Sequence, residues 1–455
     1  MSVKITETIL RDGQQSLIAT RLKMEDMLPM LKELDEVGYH AMEVWGGATF
    51  DSCLRYLDED PWERLRTIRE NVKNTKLQML FRGQNILGYK HYPDDVLEKF
   101  IQKAIENGID IVRIFDALND IRNMEKAIEY TKKYGAHAQG TIVYTTSPIH
   151  TMEKYLENAE DLVNAGVDSL CIKDMAGLMT PYKAYELVKN LKERFDVPVE
   201  FHAHNTAGLA FMSYLKAVEA GVDIIDTALA PFSSGSSQPT TETMIAALED
   251  TEYDTEIDFT KAEDIGKYFK DVRDKYEDYL GSFEVDPAII LNQVPGGMIS
   301  NLKSQLKTQG ISDKYQEIME ETPRVREDLG YPPLVTPTSQ IVGTQAVFNV
   351  ISEGGRYSIV PTEVKEYLRG KYGRPPGEIN KELQEQLINE EEIIEDRPAE
   401  HLPYAFEAAS EELGELAQSE EDVLSYILFP DVARKFLESK QEDHEEVEAD
   451  GYVFS

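Results

Sequence analysis

Short apolar segments recur at nearly even intervals along the first 230 residues, and each has the length of a buried strand. The eight segments span 3–10, 40–45, 77–82, 109–115, 138–144, 168–173, 198–204 and 223–229. Successive segments begin 25–37 residues apart, a spacing typical of strand–helix units joined by right-handed crossovers. Eight such units favour a closed (β/α)8 TIM barrel over an open doubly wound sheet, which usually stops at about six strands.

The segments between the predicted strands have helical periodicity. Within 97–108 the apolar side chains fall on one helical face, and Gly108 can end the helix in a left-handed conformation. The segment 153–166 repeats this arrangement. No glycine-rich phosphate-binding loop follows any of the strands, so nucleotide binding has no support. The predicted fold class is therefore α/β, with a barrel as the first domain.

The chain has 455 residues, which exceeds the usual barrel of about 250 residues and leaves room for a second domain. We assign the barrel with its flanking helices to residues 1–294. A Pro-Gly-Gly turn at 295–297 then opens a smaller, mainly helical domain over 295–385, in which proline clusters separate the helices. Residues 386–455 are predicted to be an acidic tail, partly helical or disordered.

The net charge of −37 argues against a nucleic-acid partner and against attachment to anionic lipid, because no basic stripe is present. About half of this charge lies after residue 380. A solvated tail is the simpler interpretation, and a docking surface for a partner protein is the alternative. No apolar run reaches the ~18 residues that span a bilayer, and the N-terminus lacks a secretory signal. The two cysteines cannot form a disulfide framework, which favours a cytoplasmic location.

Polar side chains follow the predicted strands at the points where they end. In a TIM barrel the C-terminal ends of the strands surround one opening of the barrel, here called the mouth, and catalytic residues gather there. This rule collects Asp12, Glu43, Arg82, Asp116, Tyr144, Lys173, Asp174, His202 and His204. His202 and His204 lie two residues apart on one strand and therefore share a face. Together with Asp12 they can hold a divalent metal, an interpretation that their position favours over a pair of surface histidines.

Lys173 and Arg82 each allow more than one interpretation. An ammonium in the barrel mouth is costly unless it is paired or chemically altered. Lys173 can form a salt bridge with Asp174 or Glu43. Alternatively its amine has a lowered pKa and forms either a Schiff base or a carbamate with CO2, and residue chemistry leaves these two open. Arg82 can hold a substrate carboxylate through two hydrogen bonds, or it can form a structural ion pair.

The motifs that carry these residues resemble a known family. LRDGQQSLIATR, EVWGGATFD, FRGQNILGY, RIFDALND, IKDMAG and FHAHNTAG are similar to the carboxyltransferase component of biotin-dependent carboxylases. That family includes parts of pyruvate carboxylase, oxaloacetate decarboxylase and transcarboxylase. VPGGMISNLKSQL and REDLGYPPLVTPTSQIVGTQAV resemble the second domain of the same family, so the resemblance covers roughly residues 3–385.

The resemblance implies a set of site residues. A divalent metal, Zn²⁺ or Mn²⁺, is implied at Asp12, carboxylated Lys173, His202 and His204. Arg82 and Gln15 match positions that hold the substrate's carboxylate and carbonyl, and Asp51 and Tyr89 match positions near the biotin ring. A hydroxyl of the loop after the eighth strand is implied to carry a proton between biotin and substrate. Ser236 occupies that position, and Ser237 is the alternative register.

The reaction implied is transfer of CO2 between carboxybiotin and pyruvate or oxaloacetate through a metal-stabilised enolate, in a direction that the site leaves open. The family's biotin-attachment lysine between two methionines is absent from this sequence. Biotin is therefore expected on a separate carrier protein, and the chain is expected to act as a homodimer within a larger carboxylase or decarboxylase complex. One alternative is a metal-dependent acyl-CoA lyase or synthase of the same barrel superfamily. Another is a noncatalytic subunit that docks the carrier.

Overall fold

A computed structural model describes residues 2–292, 302, 306, 308, 310–388 and 393–451 of the chain. Eight parallel strands close into a barrel in which each strand pairs with its neighbours in sequence and β8 pairs with β1. The strands are β1 Lys4–Glu7, β2 Ala41–Trp45, β3 Lys76–Phe81, β4 Ile111–Ile114, β5 His137–Val143, β6 Ser169–Asp174, β7 Val199–Ala203 and β8 Ile224–Thr227. The predicted TIM barrel is confirmed.

Helices follow the strands and then continue beyond the barrel. Those within the barrel part are α1 Gln14–Ile18, α2 Met24–Met27, α3 Leu31–Asp35, α4 Gly47–Ser52, α5 Pro61–Asn71, α6 Asp94–Glu106, α7 Glu125–Lys133, α8 Met152–Asn164, α9 Pro181–Arg194, α10 Ala210–Glu219, α11 Thr241–Leu248 and α12 Phe259–Asp274. Those that follow are α13 Ile289–Asn292, α14 Tyr315–Asp328, α15 Thr338–Ile351, α16 Thr362–Leu368, α17 Lys381–Leu387, α18 Phe406–Leu413, α19 Glu420–Leu428 and α20 Pro430–Gly451.

The first strand is shorter than the predicted segment 3–10. The buried Glu7 carboxylate accepts the N–H groups of Ile9 and Leu229, at 3.0 and 2.9 Å, and so turns the chain out of the sheet. A single π-helical turn, Ile9–Gly13, follows. Asp12, which was expected just after the predicted strand 3–10, lies on this turn.

Charged side chains fill part of the barrel interior, where aliphatic layers are usual. The Arg113 guanidinium contacts the carboxylates of Glu200, at 2.7 Å, and Asp226, and it donates to Gln139 Oε1 at 2.6 Å. All four side chains are buried. Buried charges are tolerated when they are paired and hydrogen-bonded, as they are here. This column of charge lies directly beneath the mouth.

A second apolar core includes loop residues at the mouth end of the barrel. It contains buried side chains of α14, α15 and α16, and it also includes Leu118, Ala176 and Leu178 from loops that follow β4 and β6. The region 310–388 is mainly helical, as predicted. The boundary at 294/295 and the turn at 295–297 lie outside the described residues, so that domain division stays a prediction.

Residues 393–451, here called the C-terminal segment, fold against the barrel. Leu424, Leu428, Phe429 and Ala433 belong to the barrel's own core, and Trp62 Nε1 donates to Ser425 Oγ at 3.0 Å. This differs from the solvated tail predicted from the charge, because apolar residues at helical spacing lie among the acidic ones. Within the described ranges, no helix has the length and apolar content needed to cross a membrane.

We expect Leu424→Ala to lower the free energy of unfolding by about 2–5 kcal/mol, because its fully buried side chain would leave a cavity. Urea denaturation followed by tryptophan fluorescence measures the change. Tyr404→Ala is the control, since that side chain is 78% exposed and should shift stability by less than about 0.5 kcal/mol. Equal stability of the two variants would contradict a shared core.

Candidate active site

Three buried acceptor groups converge at the mouth of the barrel. Asp12 Oδ2 lies 3.2 Å from His202 Nε2 and 3.4 Å from His204 Nε2. The three ligand atoms all lie within 4.8 Å of one another. His202 and His204 extend from the end of β7, and Asp12 reaches the same point from the π-helical turn after β1. The structure thus brings together the three residues predicted to hold a metal.

The outer nitrogens of both imidazoles are already occupied. His202 Nδ1 lies 2.7 Å from Asp226 Oδ2, and His204 Nδ1 lies 2.6 Å from the main-chain oxygen of Ser236. These oxygens accept hydrogen bonds, so each ring carries its proton on Nδ1 and turns an Nε2 lone pair toward Asp12. Burial lowers the pKa of His202 well below its usual value, which keeps that ring neutral. Two imidazole lone pairs and a carboxylate oxygen that face one another are ligands of the kind that bind a divalent cation.

Asp12 is charged despite its burial. Burial alone would raise the pKa of this carboxyl, but the charge of the Arg11 guanidinium lowers it well below its usual value. Arg11 Nη2 lies 3.2 Å from Asp12 Oδ2 and 2.9 Å from Glu43 Oε1. Gln238 Nε2 also donates to Asp12 Oδ2, at 3.0 Å.

Lys173 is fully buried beside this centre, with its Nζ 3.2 Å from His202 Nε2. In the part of the chain that the structure describes, no carboxylate forms an ion pair with it. Glu43 is paired with Arg11, and Asp174 accepts the N–H groups of Leu178 and Met179. The salt bridge considered for Lys173 is therefore not formed. Burial lowers the pKa of this amine, which favours the neutral, nucleophilic form.

Arg82 and Tyr89 lie on one loop beside the mouth. Arg82 Nη1 donates to the main-chain oxygens of Leu87 and Gly88, at 2.7 and 3.1 Å, and its guanidinium lies 5.3 Å from the centre of the Tyr89 ring. A Cβ on Gly47 would come within 2.6 Å of Leu87 O and 3.1 Å of Arg82 Nη1. Glycine at this position therefore lets helix α4, which carries Asp51, approach Arg82.

Gln15 and Asp51 both have charged partners. Gln15 Oε1 accepts a hydrogen bond from Arg11 Nη1 at 3.0 Å, which ties Gln15 to the side of the mouth where the three acceptors converge. The Asp51 carboxylate pairs with Arg55 Nε at 2.5 Å and is 27% exposed.

The opposite wall of the mouth is apolar. Leu80, Phe115 and Val143, near the ends of β3, β4 and β5, pack together with Val335 from the region after the barrel. The converging acceptors come from the turn after β1 and from the end of β7, so they lie across the barrel from this apolar cluster.

The three hydroxyls near the mouth differ in what they contact. Ser237 is fully buried, and its hydroxyl donates to Phe232 O at 2.7 Å. Ser236 Oγ donates to Ser16 O at 3.0 Å. Thr336, next to Val335, is partly exposed, and its hydroxyl makes no hydrogen bond within the described residues. Sequence reasoning considered only the two serines.

Residues 2–268 match the protein family described as HMGL-like, and residues 289–454 match the family described as Conserved carboxylase domain. A pyruvate carboxylase subunit from Methanocaldococcus jannaschii is 57% identical over 440 residues, which cover 96% of this chain and 77% of that protein. The chain belongs to the carboxyltransferase family of biotin-dependent carboxylases. The resemblance inferred from the motifs is confirmed.

This carboxyltransferase is similar to two other characterised proteins. The 2-oxoglutarate carboxylase large subunit from Hydrogenobacter thermophilus is 46% identical over 448 residues, covering 96% of this chain and 69% of that one. The carboxyl transferase domain of Rhizobium etli pyruvate carboxylase, solved with pyruvate and biocytin, superposes with a TM-score of 0.91 at 33% identity. That match covers 97% of this chain and 78% of the other.

Three residues of the carboxyltransferase site were missed from the sequence. Asp226 lies within the eighth predicted strand, where the strand-end rule did not reach it. Arg11 directly precedes Asp12, and Gln238 follows the two serines in the SSQP stretch. Each supports a ligand without being one, so no ligand spacing could have identified it.

We expect Asp226→Asn to weaken divalent-metal binding by about 10–100-fold, because the carboxylate that fixes the His202 tautomer is lost. Calorimetric titration of metal-free protein with Zn²⁺ or Mn²⁺ measures the affinity. Asp223→Asn is the matched control, since Asp223 pairs with Lys192 at the start of the same strand. If both variants bind metal as the wild type does, Asp226 does not orient His202.

Proposed function

We propose that this biotin-dependent carboxyltransferase moves CO2 between carboxybiotin and pyruvate or oxaloacetate. The observation that carries the proposal is the arrangement of groups around the mouth. The three converging acceptors face an apolar wall, and Arg82, whose guanidinium can bind a carboxylate, directly follows β3 on the side of that wall. A small 2-oxo acid has the matching pattern, with a carboxylate and a ketone at one end and a methyl group at the other. Similarity to a pyruvate carboxylase subunit supports the same substrate.

In this proposal a divalent cation, Zn²⁺ or Mn²⁺, is held by Asp12, His202, His204 and carboxylated Lys173. The convergence of three acceptor atoms fits such an ion, and imidazole and oxygen ligands accept either metal. When bound, the cation polarises the ketone and makes the neighbouring methyl protons acidic. The neutral Lys173 amine would attack the carbon of CO2, so that an N–C bond forms while one C=O π bond opens onto oxygen. One N–H proton passes to water, and the side chain becomes an anionic oxygen ligand.

The remaining residues of the proposal bind and orient the substrates. Arg82 holds the substrate carboxylate, since a guanidinium matches its planar geometry, and Gln15 contacts the ketone oxygen. Asp51 and Tyr89 hold the ring of carboxybiotin. The apolar wall excludes water from the released CO2, which would otherwise be lost to solvent. Neither direction of transfer is favoured by these groups.

Thr336 is the better candidate for the hydroxyl that carries a proton between biotin and substrate. A hydroxyl hydrogen held by a peptide oxygen is not available to the ring, and Ser236 donates its hydrogen to Ser16 O. The Thr336 hydroxyl has no such partner among the described residues and adjoins the apolar wall through Val335. Ser236 keeps a different role, because its main-chain oxygen accepts from His204 Nδ1.

The apolar wall also favours pyruvate over 2-oxoglutarate, the substrate named for one relative. A 2-oxoglutarate molecule would direct its second carboxylate toward Leu80, Phe115 and Val335. A carboxylate buried against aliphatic side chains without a partner is strongly disfavoured. Pyruvate brings only a methyl group to that wall.

The partner of this proposal is a biotinylated carrier protein, and we extend it to a homodimer in the cytoplasm. An acyl-CoA lyase of the same superfamily is less well supported, because the similarity to carboxylases continues over 289–454, beyond the barrel. A noncatalytic docking subunit is disfavoured by the intact set of converging ligands.

We expect purified protein to decarboxylate oxaloacetate faster with free biotin than without it, and Lys173→Ala to lower this rate at least about 100-fold. Loss of the carbamate removes one of the proposed metal ligands. A coupled assay for pyruvate measures the rate in metal-replete buffer containing bicarbonate. Lys189→Ala is the control, since its side chain is exposed on helix α9 and should leave the rate unchanged. An inactive wild type would refute the assignment to oxaloacetate.

A second comparison tests the hydroxyls. We expect Thr336→Ala to lower biotin-stimulated decarboxylation by about 100-fold, within the range for loss of a proton-transfer group, and Thr336→Ser to retain most of the rate. Ser236→Ala should have a small effect, because the main-chain oxygen that holds His204 remains. The opposite order of the two alanine variants would assign the proton transfer to Ser236.

A further inference from the structure

The loop that carries Arg82 and Tyr89 has little regular structure of its own. Beyond the 3-10 turn Gly83–Asn85, its main chain is held by scattered hydrogen bonds. Gln84 makes two of them, since its side-chain nitrogen donates to Tyr92 O at 2.7 Å and its main-chain oxygen accepts from Tyr92 N at 3.0 Å. Ile86 has a φ of +53°, a costly conformation for a β-branched residue. Such a loop keeps its shape only if its surroundings restrain it.

Arg397 provides that restraint from the C-terminal segment. Its Nη2 donates to Gln84 Oε1 at 2.7 Å, and its two terminal nitrogens contact the Asp94 carboxylate at 2.5 and 2.8 Å. Gln84 Nε2 also contacts Asp94 Oδ1, at 3.0 Å. The side chain of Arg397 is 6% exposed. One buried guanidinium thus joins both ends of the loop, residues 83–94, to a segment more than 300 positions away in the chain.

The same segment contacts helix α4, which carries Asp51. The ring of Phe429 stacks on that of Phe50, with centres 5.7 Å apart, and Phe50 immediately precedes Asp51. The Tyr92 hydroxyl donates to Leu428 O at 3.3 Å. The C-terminal segment therefore restrains both elements that carry the proposed substrate and biotin contacts.

We infer that Arg397 is a positioning residue for the carboxyltransferase reaction, holding the loop so that Arg82 and Tyr89 face the mouth. The inference rests on the proposed function of those two residues. Arg82 is bonded through Nη1 to Leu87 and Gly88 of the same loop, so a displaced loop displaces its guanidinium. Displacement of a binding group by about 1 Å can lower a rate by about 100-fold.

The test measures oxaloacetate decarboxylation in Arg397→Gln, with oxaloacetate and free biotin each varied. We expect the KM for oxaloacetate and the half-saturating biotin concentration to rise by about tenfold to a hundredfold. Bound metal, measured by elemental analysis, should not change, because Arg397 contacts none of the proposed ligands. Arg397→Lys, which keeps the charge but not the planar fork, should recover part of the loss. Arg434→Gln, an exposed arginine of the same segment, is the control and should leave both constants unchanged.

Hydrogen exchange of the amides in 83–92 gives a readout that does not depend on turnover. Faster exchange in Arg397→Gln than in Arg434→Gln supports the restraint, and equal exchange overturns it. Equal kinetic constants in Arg397→Gln and wild type also overturn the inference, as does a fall in kcat accompanied by loss of metal. If Arg397→Gln does not fold, Gln84→Ala removes the same link while it retains the Arg397–Asp94 pair. If the wild type does not decarboxylate oxaloacetate but its amides in 83–92 exchange more slowly than those of Arg397→Gln, only the proposed function is refuted.

Discussion

The hydrogen bond between His202 Nδ1 and Asp226 is the interaction on which the site depends. Asp226 is held in place by Arg113, and Arg113 is held in turn by Glu200 and Gln139, all inside the barrel. Because Asp226 accepts the Nδ1 proton, Nε2 of His202 must face Asp12 as a lone pair. Charged side chains thus replace aliphatic packing beneath the mouth, and they fix the tautomer of His202 that carries its proton on Nδ1.

The sequence predicted the barrel well because buried parallel strands leave a strong apolar signal at regular spacing. The rule that strand ends point into the mouth also brought together Asp12, His202 and His204. It did not reveal Arg113 or Asp226. In the sequence alone, a charged residue that truly faces the barrel interior looks the same as one placed there by a strand assigned one residue out of register. The C-terminal segment was misjudged for a related reason: its many acidic residues conceal the few apolar ones, such as Leu424, that pack on the barrel.

Parts of the chain that are distant in sequence complete a single mouth. The strand ends supply the converging acceptors, and the region after the barrel supplies Val335. The C-terminal segment restrains helix α4, which carries Asp51, and the loop that carries Arg82. A reaction that releases CO2 and recaptures it needs both fixed charges and exclusion of water. Short strand-end loops can supply the first. The second requires a water-excluding wall, which here is built from residues at three strand ends together with Val335 from the region after the barrel.

Lys173 connects the electrostatics of the site to its proposed modification. As an ammonium 3.2 Å from His202 Nε2, it would repel a divalent cation bound to the same nitrogen. A carbamate would replace that positive charge with a negative one, on an oxygen that can bind the cation directly. Carboxylation of Lys173 and binding of the metal should therefore favour each other, since any gain that one gives to the other is reciprocal. Such coupling requires a lysine that is free to react before the metal binds, and Lys173 is buried without a carboxylate partner among the described residues.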